Sequence, residues 1–274
     1  MGIFNFFLNT LGDLVMAPFQ VETAWPGLVV FSVLVAVLAM LTYKYFSNQV
    51  ALRDRRNRLL ARVLEIRLYQ DDIAGIFGMS LRIMMAAFSY IKESLRPLLI
   101  MLVPISLILI QMETWFEYRP LKSGDLTILS VAFDDTIDSL GSNISVTTSE
   151  GLALETEGLR SPNGSMVSWR LRSKISEKAW IDITVGDSVF RKKVNVAHGM
   201  QKISPKSVRA QLWNSIRYPA EPLMDKNSPI QSISLSYPKR EFYVGRFSVN
   251  WIVAFFILTL TCGLIIKPVL KVEL

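Results

Sequence analysis

The sequence predicts an α-helical membrane protein with three transmembrane helices, a cytoplasmic helical hairpin, and an inserted extracytoplasmic antiparallel β-sandwich domain. Three observations predict it. Uncharged stretches at 23–43, 97–112 and 247–266 hold 21, 16 and 20 residues. The gap at 44–96 is short, helical in pattern and basic, whereas the gap at 113–246 is long and alternates like strands. Mean hydropathy is +0.33, with 51% of residues hydrophobic and the excess concentrated in the three stretches.

Residues 1–22 place Phe4, Phe7, Leu8, Leu11, Leu14 and Val15 at helical spacing, with Asn5, Asn9 and Asp13 opposite. This pattern predicts an amphipathic helix lying in the membrane interface, outside. The segment has no basic n-region, so no cleavable signal is expected. A helix rises about 1.5 Å per residue, and about 20 apolar residues cross a hydrocarbon core of roughly 30 Å. The first and third stretches suffice. The second reaches only about 24 Å and calls for thinned bilayer or a snorkelling Arg96.

Orientation follows from the short loops. Residues 44–96 carry ten Lys and Arg against five Asp and Glu, the tail at 267–274 adds Lys267 and Lys271, and 1–22 has no basic residue. The positive-inside rule puts the N-terminus and the β-domain outside, and the hairpin and C-terminus inside. Trp25, Trp115, Phe116, Tyr118, Phe242, Tyr243 and Trp251 fall at the outer boundary as an aromatic belt. The net charge of +7 partly reflects this topology, and no nucleic-acid motif accompanies it.

In the hairpin, 48–70 carries stripes of Leu52, Leu59, Val63, Ile66 and of Leu60, Leu64, Leu68 among its arginines. Asp71 and Asp72 can cap a second helix from 73 to about 93, with Ile73, Phe77, Leu81, Met84, Phe88 and Ile91 at intervals of three and four. The pair predicts a coiled-coil-like hairpin. The second helix is apolar beyond one stripe, through Met79, Ile83, Met85, Ala86 and Ala87, with Arg82 as its sole charge before Lys92. Two readings stand for this face: ordinary packing, or an adaptable surface that holds hydrophobic segments transiently, built on Phe77, Met79, Arg82, Met84, Met85 and Phe88.

Within the spans, Pro97 is expected to start the second helix, Pro104 to kink it, and Pro268 to stop the third. Ser106, Gln111, Asn250, Thr259 and Thr261 are the polar residues at membrane depth. They either join helices by hydrogen bonds or line a hydrated groove. No acidic residue or histidine lies in a span, which argues against a proton-coupled transporter.

The β-domain pattern predicts strands at 126–133, 144–148, 152–156, 166–172, 180–185, 189–196 and 230–237, and a helix capped by Ser207 carrying Val208, Leu212 and Ile216. Cys262 is the single cysteine, so neither an intramolecular disulfide nor a cysteine metal cluster is available. His198 lacks a partner motif. No catalytic residue, metal site or cofactor is expected, and the chain does not read as an enzyme.

The stretches TYKYFSNQVALRDRRNRLLARVLEIRLYQDD, after the first span, and SLRPLLIMLVPISLILIQ, at the second, resemble the core of the Oxa/YidC insertase superfamily. The three-span layout is similar to a bacterial branch related to the insertase subunit of the ER membrane protein complex, over roughly residues 20–115 and 247–274. The resemblance implies a shallow hydrophilic groove between spans and a hairpin that captures hydrophobic clients. YidC-type members carry an Arg within the first core span. Here that span is uncharged, and Lys44, Arg82 and Arg96 are the nearest substitutes. Groove candidates are Lys44, Arg96, Pro104, Ser106, Gln111, Asn250, Thr259 and Thr261. Expected partners are the lipid bilayer, nascent membrane proteins, and the ribosome or other membrane subunits. The alternative is a structural or accessory subunit of an envelope complex that binds through its β-domain.

Overall fold

A computed structural model describes residues 9–10, 12–19, 23–68, 73–134, 144–162, 164–174, 178–197 and 199–270. At 49, 66–68, 73–77, 79, 96, 178 and 212 only the backbone is described. The proposed Asp71–Asp72 cap and His198 lie outside the described residues. The chain forms two compact units: Met1–Leu28 with Ile108–Trp251, and Val29–Leu107 with Ile252–Leu274.

Besides helical residues at 9–10 and 12–16 and a 3-10 turn at Ala17–Phe19, five helices are described: α1 (Trp25–Phe46), α2 (Gln49–Leu68), α3 (Ile73–Phe116), α4 (Leu212–Arg217) and α5 (Trp251–Leu270). Three are long and apolar enough to cross a membrane: α1, the 80–116 portion of α3, and α5. This is the make-up of a membrane protein.

The helices correct three expectations. First, α3 runs unbroken for 44 residues, with Pro97 and Pro104 inside it. Each proline forfeits one bond to the carbonyl four residues back, but the flanking apolar turns keep theirs. Second, α5 starts at Trp251 and not at 247, because Phe247–Val249 pairs with Phe242–Val244 in a hairpin. Gly245, at φ 62°, provides the positive dihedral that a two-residue turn demands. Third, Pro268 lies inside the last turn of α5 and does not end it.

Eleven strands are described: β1 (Leu126–Phe133), β2 (Ile144–Thr148), β3 (Leu152–Leu154), β4 (Leu159–Arg160), β5 (Met166–Ser173), β6 (Lys178–Val185), β7 (Ser188–Asn195), β8 (Lys206–Val208), β9 (Ile230–Leu235), β10 (Phe242–Val244) and β11 (Phe247–Val249). One sheet has the order β3-β5-β1-β9-β8 with β4 on β5, a second is β2-β6-β7, and β10 pairs with β11. Every strand pair is antiparallel.

Alternate residues of the larger sheets point into one core. Leu129, Val131 and Phe133 of β1, Val167, Trp169 and Leu171 of β5, and Ile233 and Leu235 of β9 meet Ile181, Ile183 and Val194 of the three-stranded sheet. This is the period-two pattern doing what it predicts. The expected helix capped by Ser207 is a correction. Residues 206–208 form β8 on β9, and the helix begins after Gln211 with no side-chain cap. The Ser207 hydroxyl donates to Glu221 and is not free to cap.

Candidate functional site

The hairpin is the first candidate surface. The Asn48 side-chain oxygen accepts from the Ala51 amide at 3.0 Å, an N-cap that starts α2. Arg55 Nη2 lies 3.3 Å from Glu93, and its Nη1 donates to the Ser89 carbonyl (3.4 Å) and to the Ser89 hydroxyl. Glu65 accepts from Arg62 at 2.8 Å and sits 3.9 Å from Arg82. The order of these contacts (55 to 93, 65 to 82) makes α2 and the first half of α3 antiparallel neighbours. The Arg62 hydrogen bond, with the charges of Arg62 and Arg82, holds the Glu65 carboxyl below its usual value despite desolvation.

The described seam is therefore polar, unlike the expected coiled coil. A knobs-into-holes seam would bury Leu60, Val63, Leu64, Leu81 and Ile91, yet all five are exposed. Met84 is 62%, Met85 57% and Phe88 72% exposed. Two hollows follow. One, of about 840 Å³, is bounded by Arg55, Arg58, Arg62, Arg82, Met85 and Ala86. The other, of about 740 Å³, is bounded by Arg55, Met84, Met85, Phe88, Lys92 and Glu93. The structure thus gathers Arg82, Met84, Met85 and Phe88, while the side chains of Phe77 and Met79 lie outside the described residues.

Within the same unit, Tyr43, Leu52 and Met101 form a small core packed by Met40, Tyr90, Ile105 and Leu270, joining α1, α2, α3 and α5. Gly263 permits the close approach of α5 to α1, since a Cβ there would stand 3.1 Å from Met40 Cε. Beside this core lies a cavity of about 310 Å³ lined by Met40, Tyr43, Tyr90, Ser94, Leu98 and Met101. The Tyr43 hydroxyl stands 3.5 Å from Ser94 Oγ. Sequence reasoning missed this pair, although both residues stand in the two stretches that carry the family resemblance.

The groove candidates fare differently. The Ser106 hydroxyl donates to the Leu102 carbonyl at 2.7 Å and that of Thr261 to Ile257 at 2.8 Å, each within its own helix. Thr259 Oγ1 is buried without a partner among the described residues. Lys44 is exposed, Pro104 is half-buried, and the Arg96 side chain lies outside the described residues. Gln111 and Asn250 belong to the other compact unit, Gln111 buried and Asn250 exposed just before α5.

In that other unit, four of the seven residues expected in the aromatic belt are buried, Trp25 and Tyr118 are half-buried and Tyr243 is exposed. Phe116 stacks on Trp251 at 6.2 Å and meets Phe242 at 6.3 Å, and Trp25 meets the Phe242 edge at 5.3 Å. Trp115, Phe116, Phe242 and Trp251 are all buried. Trp251 Nε1 donates to Glu117, which also holds Lys239 at 3.1 Å. Glu113 is gripped by both terminal nitrogens of Arg217.

The described part of the N-terminal segment is helical and docks on this unit. Lys202 Nζ donates to Asn9 at 2.7 Å and to Asp13 at 3.1 Å, Asn9 donates to the Pro219 carbonyl at 2.8 Å, and Met16 is fully buried. Asn9 and Asp13, two of the three polar residues expected opposite the apolar face, thus have protein partners.

The β-region also buries a charge. Lys192 is 0% exposed and donates to Glu221 at 2.6 Å and to the Ser204 carbonyl at 2.8 Å. Burial pushes the Lys192 ammonium below its usual pKa, against the pull of Glu221. Its described partners are structural, tying β7 to the 204–221 segment. Among the described residues no group of three or more His, Cys, Asp or Glu side chains could hold a metal. Comparison of the chain with family models, curated proteins and solved structures finds no match.

Proposed function

We propose that this protein is a membrane protein insertase or intramembrane chaperone of the Oxa/YidC superfamily. In this reading it sits in a bacterial inner membrane with hairpin and C-terminus inside and β-domain outside. The observation that carries it is the hairpin: Met84, Met85 and Phe88 are exposed beside Arg55, Arg58, Arg62, Arg82 and Lys92. Large apolar side chains on one face need a cover. Methionine is the residue that fits covers of varied shape, and the guanidinium rim attracts acidic or polar flanks of a client. The client's apolar segment rests on this face and passes toward the largely apolar cavity beside Tyr43 and Ser94 in the same unit.

Photocrosslinking from Met84 and Phe88 during synthesis of membrane proteins tests this. Adducts to nascent apolar segments are expected, reduced at least tenfold by Arg82→Glu with Phe88→Ser; absence of any client adduct sinks the reading. A second reading, an accessory subunit docking through its β-domain, is favoured by Trp213, which is 71% exposed on α4. A stoichiometric partner that survives the hairpin substitutions and is lost with Trp213→Ala would favour it.

A further inference from the structure

A cavity of about 680 Å³ opens in the unit that holds the β-region, and its walls are cationic: Arg119, Lys122, Lys239 and Arg240, with Glu241 as the acidic member. A short antiparallel ladder fixes the two arginines side by side. Tyr118 bridges Lys239, the Arg119 amide donates to the Pro238 carbonyl at 3.0 Å, and the Arg240 amide donates to the Glu117 carbonyl at 2.9 Å.

Most nearby charges are already engaged. Arg119 Nη1 donates to Asp125 at 2.6 Å, Lys239 pairs with Glu117, and Glu241 accepts from the Tyr243 hydroxyl. Arg240 is different. Its Nε and Nη2 are buried and have no acceptor among the described residues. Two buried guanidinium donors beside a second arginine are costly unless an anion joins them. Burial first, and then the charge of Arg119, pushes the Arg240 pKa below its usual value.

The cavity's place in the chain indicates where the anion comes from. Phe116 ends α3 three residues before Arg119, and Tyr243 stands eight residues before Trp251, where α5 begins. Between them the β10–β11 turn exposes Tyr243, Val244 and Phe247, the last at 79%. A cationic hollow flanked by exposed apolar side chains at the ends of two apolar helices matches an amphiphile with a phosphate head.

We infer that this cavity binds the phosphate of an anionic membrane lipid, received by Arg240 and Arg119 with Lys122 and Lys239 at the rim. Val244 and Phe247 lie against its glycerol and acyl region. The phosphate chemistry stands on the cavity alone. The lipid source rests on reading α3 and α5 as membrane spans, and not on insertase activity.

The test uses the full chain in detergent and in bilayer discs. Binding of short-chain phosphatidylglycerol is measured against short-chain phosphatidylcholine, glycerol phosphate and inorganic phosphate. Phosphatidylglycerol is expected to bind best, and Arg240→Gln to weaken it roughly tenfold, the equivalent of one charge-assisted hydrogen bond. Lys226→Gln, an exposed lysine outside the cavity, should leave it unchanged. Should Arg240→Gln fail to fold, Lys122→Gln, at an exposed rim position, should still lower affinity severalfold and reduce its salt dependence. Equal affinity for inorganic phosphate and phosphatidylglycerol would overturn the lipid source. Affinity unmoved by both substitutions would overturn the site.

Discussion

Lys192 and Glu221 are the most consequential single residues of the β-region, and they are not equivalent. The lysine is fully buried, whereas Glu221 is 21% exposed and also accepts from Ser207. Glu221→Gln strands a buried ammonium, which breaks the pair at a cost of about 3–5 kcal/mol. Lys192→Met leaves only a part-exposed carboxylate with a hydroxyl partner and should cost less, about 1–3 kcal/mol. Denaturant unfolding of the two variants checks the order; a larger loss for Lys192→Met would overturn it. Asp125 supplies a pH-dependent counterpart. Burial pushes its carboxyl up, but the Arg119 hydrogen bond, the Lys122 amide and the two positive charges outweigh that and hold it below 3.8. A lowered folded pKa stabilises fully above the unfolded value, and this contribution is lost as pH falls through the folded one. Asp125→Asn should therefore be less stable near neutrality and show a flatter loss of stability below pH 3.8, read from unfolding free energies across the acid range. Neither partnership was visible in the sequence, because Lys192 sits in a strand that reads as ordinary surface alternation and Glu221 lies 29 residues on.

At the scale of elements, β5 packs closely against the loop that precedes β4. Trp169 is buried in the shared core, and a Cβ at Gly158 would come within 2.9 Å of its Nε1 and 3.0 Å of Val167 Cγ1. Neither neighbour is a flexible chain end, so Gly158→Ala should overpack the core and cost about 1–3 kcal/mol, seen as a lowered Tm. An unchanged Tm would mean the loop moves away freely. Strands such as β1, β5 and β9 were legible because one face of each is buried, and burial enforces alternation. The short strands β4, β8, β10 and β11 were not; β3 is no longer than these, but it was read within a five-residue run at 152–156. The long helix α3 was misread at Pro97 for a related reason: proline is a local stop signal, but the apolar residues on both sides outweigh one lost bond. In the hairpin, the apolar positions of α2 and α3 were legible. That polar pairs would fill the seam and leave Met84, Met85 and Phe88 outward was not.

For the whole molecule, three apolar helices and two compact units frame the question of sidedness. Cys262 is the only cysteine, so a Cys262→Ala background allows single reporters to be placed at will. Asp187→Cys is expected to react with a membrane-impermeant maleimide in intact cells, and Arg53→Cys only after permeabilisation. The reverse pattern would overturn the orientation drawn from basic residues. Composition and charge patterning by themselves determined that the chain has three apolar helices, a basic hairpin and a strand-rich insert, because burial in lipid or in a core is written into hydropathy and its period. Tertiary structure alone decided which side chains meet. It packed Trp25, Phe116, Phe242 and Trp251 into one cluster, paired Glu113 with Arg217, and set Arg119 beside Arg240. Such pairings join residues roughly 100 or more positions apart, and no local period of a sequence encodes a partner at that distance.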